Sequence, residues 1–255
     1  MAFNKDLAYE HVLCMELKAN KFKYAILHRN TKEIVELKEF DLNKFERSEL
    51  EDLLKESVFQ NDFGAICLVS GLPRNTLVPN DIFVNSTTKD IFGLNYTAPF
   101  EDLDHNRIPE LGIVNIYEMP LWIKSLFVIK FPRIRIIHPS TIVLKGVFDQ
   151  PNFHPKIHMY IDDNEFYYII TENNKLQYFN RFDYKELADI IYHLLFVLEQ
   201  KELAQDTMGL YFYGVNDKWE MIAEFQKYFK KTIKVSNKPE MAEQFMLAKQ
   251  LLCVL

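Results

Sequence analysis

Residues 154–181 read HPKIHMYIDDNEFYYIITENNKLQYFNR, and the fold turns on how this stretch is read. It is rich in β-branched and aromatic residues, the types favoured on a pleated surface. Two short polar interruptions cut it, Asp163-Asn164 and Asn173-Asn174, of the kind that accept positive φ in tight hairpins. A three-stranded meander is therefore expected. Tyr9 to Leu42 holds a second one, with turns near Asn20 and at Arg29-Asn30-Thr31.

Downstream of each meander the pattern changes from period two to helical period and back. After the first, Leu50, Leu53, Leu54 and Val58 share one helical face between Glu46 and Val58. The apolar run Ala65-Ile66-Cys67-Leu68-Val69 reads as a strand covered on both faces. Ile113 to Tyr117 is expected to resume the sheet. A helix around Trp122 to Ile129, a strand at Arg133 to Ile137 and a helix from Ser140 to Phe148 follow. After the second meander, Asp183-Tyr184-Lys185-Glu186 opens a strongly apolar helix through Leu198. Then come a strand at Gly209 to Tyr213, a helix capped by Asp217 to Glu220 and carrying Trp219, Ile222, Phe225 and Phe229, a strand at Thr232 to Val235, and a last helix from Pro239. Each half thus repeats one order, and strands joined through helices imply parallel neighbours. The expected domains are 1–150, with an insertion near 74–109, and 151–255. Within the insertion, Leu77 to Val84 reads as a strand and Thr87 to Leu94 as a short helix.

Composition narrows the function classes. A 255-residue chain with 48% hydrophobic and 26% charged residues is an ordinary globular protein with room for two cores. Its net charge of −6 argues against a nucleic-acid partner. No basic and apolar leader opens the sequence, and the most apolar run, Ile190 to Leu198, is too short to span a bilayer. A cytoplasmic protein is expected. Cys14, Cys67 and Cys253 lie singly in apolar sequence and read as core thiols rather than metal ligands.

The duplicated order of meander, helix, strand, helix, strand, helix resembles the actin-like ATPase superfamily, a duplicated ribonuclease H-like α/β fold of two lobes, each a mixed sheet flanked by helices. Within it the chain is similar to small bacterial members: an uncharacterised family of this length, the actin-like pilus-assembly ATPase and the cytoplasmic domain of type II secretion protein L. Leu72-Pro73, followed by a strand and Pro79, is similar to a pattern in the pilus proteins.

The resemblance implies a Mg-ATP site in which the first turn of each meander cradles phosphate. Such turns need glycine, because backbone amides must approach the phosphate oxygens closely. Here they read Glu16-Leu17-Lys18-Ala19-Asn20-Lys21 and Asp162-Asp163-Asn164-Glu165, without glycine and with three carboxylates in the second. The family's adenosine motif of paired glycines is matched at Gly214 alone. The expected function is therefore a non-catalytic protein-interaction scaffold with no cofactor. The alternative is a weak ATPase or kinase whose atypical site would use Lys18, Asn20, Asp162, Asn164 and Gly214. A metal-dependent nuclease using Glu16 is a third possibility, disfavoured by the net charge.

Other candidates have plainer readings. His154 and His158 sit about 13 Å apart on an extended strand and cannot share a metal. Ser70 has no glycine two residues before it and reads as a turn serine. Arg133 and Arg135 read as a solvated face, and Lys227, Lys230 and Lys231 as the cationic end of a helix. Phe92, Tyr96 and Phe100 are expected to fold into a local core rather than to form a partner patch.

Overall fold

The first strand, β1 (His11–Lys18), is buried along nearly its whole length, which requires cover on both faces. It pairs antiparallel with β2 (Lys21–His28), which pairs antiparallel with β3 (Ile34–Asp41). A computed structural model describes residues 3–151, 153–214, 223–234 and 244–254. Helix α1 (Arg47–Leu53) leads to β4 (Ala65–Val69), parallel to β1. The expected helix through Val58 stops at Leu53, and Ser57–Gln60 is a separate 3-10 turn.

Between β4 and the next strand of this sheet lies the insertion. It contains β5 (Asn75–Pro79), α2 (Thr88–Gly93), β6 (Leu103–Ile108) and β7 (Ile113–Glu118). These strands form their own antiparallel sheet in the order β5-β7-β6. The expectation that Ile113 to Tyr117 resumes the main sheet is therefore corrected: β7 is the centre of the inserted one. The strand expected at Leu77 to Val84 lies earlier, at Asn75–Pro79, because a 3-10 turn takes over at Asn80–Ile82. The Leu72 amide donates to the Glu118 carbonyl (3.0 Å), joining the two ends of the inserted segment. As expected, Phe92 is fully buried in a local core with Val78, Phe83, Val114 and Ile116, with Tyr96 and Phe100 packed against it.

Helix α3 (Leu121–Lys130), β8 (Arg135–Ile137) and α4 (Pro139–Phe148) follow, and β8 completes the order β3-β2-β1-β4-β8. The second meander is β9 (Lys156–Ile161), β10 (Glu165–Glu172) and β11 (Lys175–Asp183). Asn173 and Asn174 both take positive φ (51° and 58°), as a two-residue turn of mirror-image type requires. After α5 (Leu187–Gln200), β12 (Gly209–Tyr213) and β13 (Thr232–Lys234) add in parallel, giving β11-β10-β9-β12-β13. The same strand order thus occurs twice, each time a meander extended by two parallel strands. The expected Asp217 to Glu220 cap, Trp219, Ile222, Val235, Pro239 and Met241 lie outside the described residues.

Residue contacts divide the chain into Met1–Lys145 with Met246–Leu255, and Gly146–Phe245. The terminal residues thus group with the first unit, whereas the sequence reading carries the second lobe through residue 255. They form the short helices α6 (Phe245–Lys249) and α7 (Leu251–Val254). In the first unit, Leu13, Met15, Phe22, Tyr24 and Ile26 pack under α1 and α3. The opposite face, with Val12, Cys14, Ala25 and Leu27, is covered by Leu247 and Leu251. In the second unit, α5 presses Ile190, Leu194, Val197 and Leu198 onto Ile157, Met159, Tyr168 and Ile170. Each such aliphatic side chain contributes about 1.5–3 kcal/mol relative to exposure. Asp189 caps this helix by accepting from the Lys185 amide (2.9 Å) and the Glu186 amide (3.2 Å).

Candidate functional site

In a parallel sheet, ligand sites form beyond the carboxyl ends of the strands. In the first unit the carboxyl ends of β4 and β8 meet the insertion instead. His138, only 1% exposed, follows β8; its Nε2 lies 2.9 Å from the Leu72 carbonyl and its Nδ1 3.2 Å from the Ser140 amide. A carbonyl can only accept, so Nε2 carries the proton and Nδ1 accepts. Asn106 of β6 accepts from the His138 amide (2.8 Å) and the Thr141 hydroxyl (3.2 Å), and its Nδ2 donates to the Ile136 carbonyl (3.1 Å). Asn115 of β7, fully buried, donates to Thr141 Oγ1 (3.0 Å) and accepts from Asn75 Nδ2 (2.8 Å). Gly71 keeps this corner tight, since a Cβ there would lie 2.5 Å from the His138 ring. Ser70 continues the β4–β8 pairing through its amide to the Ile137 carbonyl (3.1 Å) and is 3% exposed, a structural serine.

Sequence reasoning missed this network. Its only trace is polar residues at strand positions, Asn106 and Asn115, together with a histidine just before Pro139.

The first meander's opening turn holds Ala19 and Asn20, both exposed, between the paired residues Lys18 and Lys21. The Asn20 carbonyl accepts from the Leu42 amide (2.9 Å). Lys18 lies 3.5 Å from Glu16, which is 7% exposed. Lys21 and Lys23 both pair with Glu39 (2.5 and 3.0 Å); burial works to raise that carboxyl, but the two lysines outweigh it and hold it below its ordinary range.

The second meander's opening turn is more constrained. The Asp162 amide donates to the Glu165 carbonyl (2.9 Å), and the Asp163 amide donates to the Asp162 carboxylate (2.9 Å). The Asn164 carbonyl accepts from the Tyr184 amide (3.0 Å), and the Tyr184 hydroxyl donates to the Asp162 carbonyl (2.6 Å). Glu165 is drawn away by Arg181 (2.5 Å), so two of the three carboxylates counted from sequence stand at the turn. Asp163 and Asn164 do not take positive φ, and the Asp162 side chain shapes the turn instead.

Gly214 follows β12 and lies against β9, beside the root of this turn. Its φ is +72°, and a Cβ would sit 2.5 Å from the Tyr160 ring and 3.1 Å from the Ile161 carbonyl. Tyr160 itself packs against Tyr167 and Phe245 (centroids 5.8 and 5.2 Å). Asp162, Asn164 and Gly214 are thus gathered at one end of the second sheet, while Lys18 and Asn20 lie on the first. Gly214→Ala is expected to destabilise the protein by about 2–4 kcal/mol through overlap and left-handed strain, read as a lowered urea midpoint. An unchanged midpoint would show that Tyr160 yields freely.

His158, 2% exposed, lies between the Tyr213 hydroxyl (Nδ1, 2.8 Å) and the Thr171 hydroxyl (Nε2, 2.9 Å). Desolvation, with Lys156 adding to it, pushes its pKa down to about 3. It is a satisfied core histidine, whereas His154 is exposed. Burial pushes the Cys14, Cys67 and Cys253 thiols up, Cys253 to about 11, the behaviour of unreactive core cysteines. Among the described residues no three His, Cys, Asp or Glu side chains converge as a metal site requires.

The model for the family described as "Protein of unknown function (DUF3822)" matches residues 2–232. The chain belongs to this family. Among solved structures, this DUF3822 chain is similar to a Bacteroides thetaiotaomicron protein with an actin-like ATPase fold and unknown function. The two share 17% identity over 99% of this chain and 100% of the other, with a TM-score of 0.84. The PilM–PilN type IV pilus biogenesis complex matches at 11% identity over 95% and 98% of the chains, TM-score 0.52. The cytoplasmic domain of EpsL, an inner-membrane component of the type II secretion system of Vibrio cholerae, matches at 7% identity over 95% of each, TM-score 0.51. No curated protein matches by sequence. The DUF3822 chain therefore has the two-lobed actin-like ATPase fold expected from its duplicated meanders. Among its described residues no helix is long and apolar enough to cross a membrane.

Proposed function

We propose that this DUF3822 protein is a non-catalytic, actin-like scaffold that engages a protein partner. One observation carries the reading. The second opening turn spends two of its amides internally, Asp162 on Glu165 and Asp163 on the Asp162 carboxylate, and leaves carboxylates where a phosphate would need donors. Gly214 adds support, because the space beside its Cα is filled by Tyr160 rather than open to a ligand. The fold also recurs in PilM of the PilM–PilN complex and in a secretion-system component, both members of protein assemblies.

Titration calorimetry of the full chain with Mg-ATP is expected to give no heat above dilution up to about millimolar nucleotide, an affinity weaker than roughly −4 kcal/mol. Micromolar binding would overturn the reading.

The fold itself motivates an alternative, a weak ATP-binding ATPase or kinase. Lys18 and Asn20 would then approach phosphate, Asp162 would hold a magnesium-bound water, Asn164 would replace a glycine, and Gly214 would admit the adenosine. On that alternative Asp162→Ala abolishes hydrolysis; on the scaffold reading, wild type and variant both stay at the buffer rate.

A further inference from the structure

The first unit carries a depression of about 800 Å³ whose lining includes neither opening turn. Phe59, Phe63 and Phe131, each at most 7% exposed, form its floor. Lys130, Arg133 and Arg135 stand on its walls, with Asp62 the one carboxylate among the lining residues. In a chain of net charge −6, three cations against one anion around an aromatic floor is a local inversion of sign. Two of the cations are already oriented: Lys130 Nζ donates to Gln60 Oε1 (2.7 Å), and Arg135 donates to the Cys253 carbonyl.

What surrounds those cations selects the kind of anion. Cations carried on long, separately placed side chains suit carboxylates spaced along one segment. We propose that this depression docks an acidic segment of a partner protein, its carboxylates meeting Lys130 and Arg133 at the rim. The proposal rests on the scaffold reading and gives it a location.

The test uses a fluorescein-labelled peptide of Asp and Glu residues flanking one Phe, titrated with the full chain and read by anisotropy. A matched peptide of Asn and Gln around the same Phe is the control. Saturable binding is expected, weakened at least about tenfold by Lys130→Glu with Arg133→Glu, and also by raising salt from about 0.05 to 0.3 M. Arg133 is exposed, so Arg133→Glu alone serves as a second variant, with circular dichroism confirming the fold of each. Absence of peptide binding, equal binding of the neutral peptide, or indifference to both variants would overturn the proposal. Displacement of the peptide by equimolar pyrophosphate would overturn it in favour of a phosphate ligand. Mg-ATP calorimetry on the same preparation separates the two ideas: a peptide failure without nucleotide binding removes only this pocket, whereas tight nucleotide binding removes the scaffold reading.

Discussion

Arg74→Met is expected to lower stability by about 3 kcal/mol, a larger loss than removal of an exposed ion pair produces. Its partner Glu118 is 0% exposed at the end of β7 and accepts from Arg74 Nε (2.5 Å), Arg74 Nη2 (2.7 Å) and the Glu101 amide (2.8 Å). With the guanidinium gone, the buried carboxylate keeps the Glu101 amide as a donor, and the cost is chiefly that of a charge stranded away from water. Arg74 is 39% exposed, which holds the figure to the low end of the range for buried pairs. Adding Glu118→Leu to Arg74→Met should recover much of the loss, because no charge is then stranded. Urea unfolding followed by circular dichroism checks both. A single-variant loss below about 1 kcal/mol would show that water reaches Glu118 and that the pair is an ordinary surface bridge.

The second large effect is acid sensitivity centred on His158. The folded imidazole, with its pKa near 3, stays neutral where the unfolded one, near 6.5, takes up a proton. Below about pH 6.5 the unfolded state therefore binds more protons, and stability falls with pH until the folded group also titrates near 3. From about pH 7.5 to about pH 5 this single group is expected to remove about 2 kcal/mol. His158→Gln keeps a donor and an acceptor for Tyr213 and Thr171 but cannot titrate. It should be less stable than wild type at neutral pH and lose less on acidification. If both proteins show the same slope of stability against pH, the sensitivity belongs to other groups.

The two meanders were legible because their evidence is local. Alternating β-branched and aromatic residues mark the strands, and Asn173-Asn174 marks a turn that adopts the positive φ its residues permit. Repetition then supplied the topology, since the same order of elements on each side of residue 150 points to the same sheet twice. The insertion was less legible. Leu103-Asp104-His105-Asn106-Arg107-Ile108 carries no strand pattern, yet it is β6, paired along its length with β7, and Asn106 bonds to Ile136, His138 and Thr141, residues at least 30 positions away. For β7 the local pattern gave the strand but not its neighbours, as a buried apolar run carries no label for its pairing partner. At the candidate site, the lack of glycine was visible in the sequence. That Glu165 would be claimed by Arg181, and Gly214 by the Tyr160 ring, depends on packing that no spacing rule encodes. Arg133 and Arg135, read as a solvated face, stand on the walls of the first unit's depression only because Phe131 and Phe63 turn inward beside them.

The hydrogen bond from Leu72 to the Glu118 carbonyl means that the chain leaves the first sheet and returns to it through a single doorway. Everything between is a pendant with its own strands and its own apolar centre, locked to the frame on its inner side by Asn106 and Asn115. Such an appendage can lengthen, shorten or change its outer surface from one relative to the next while the doorway stays shut. Variation in this protein's kin should therefore gather on the pendant and spare the frame that carries it.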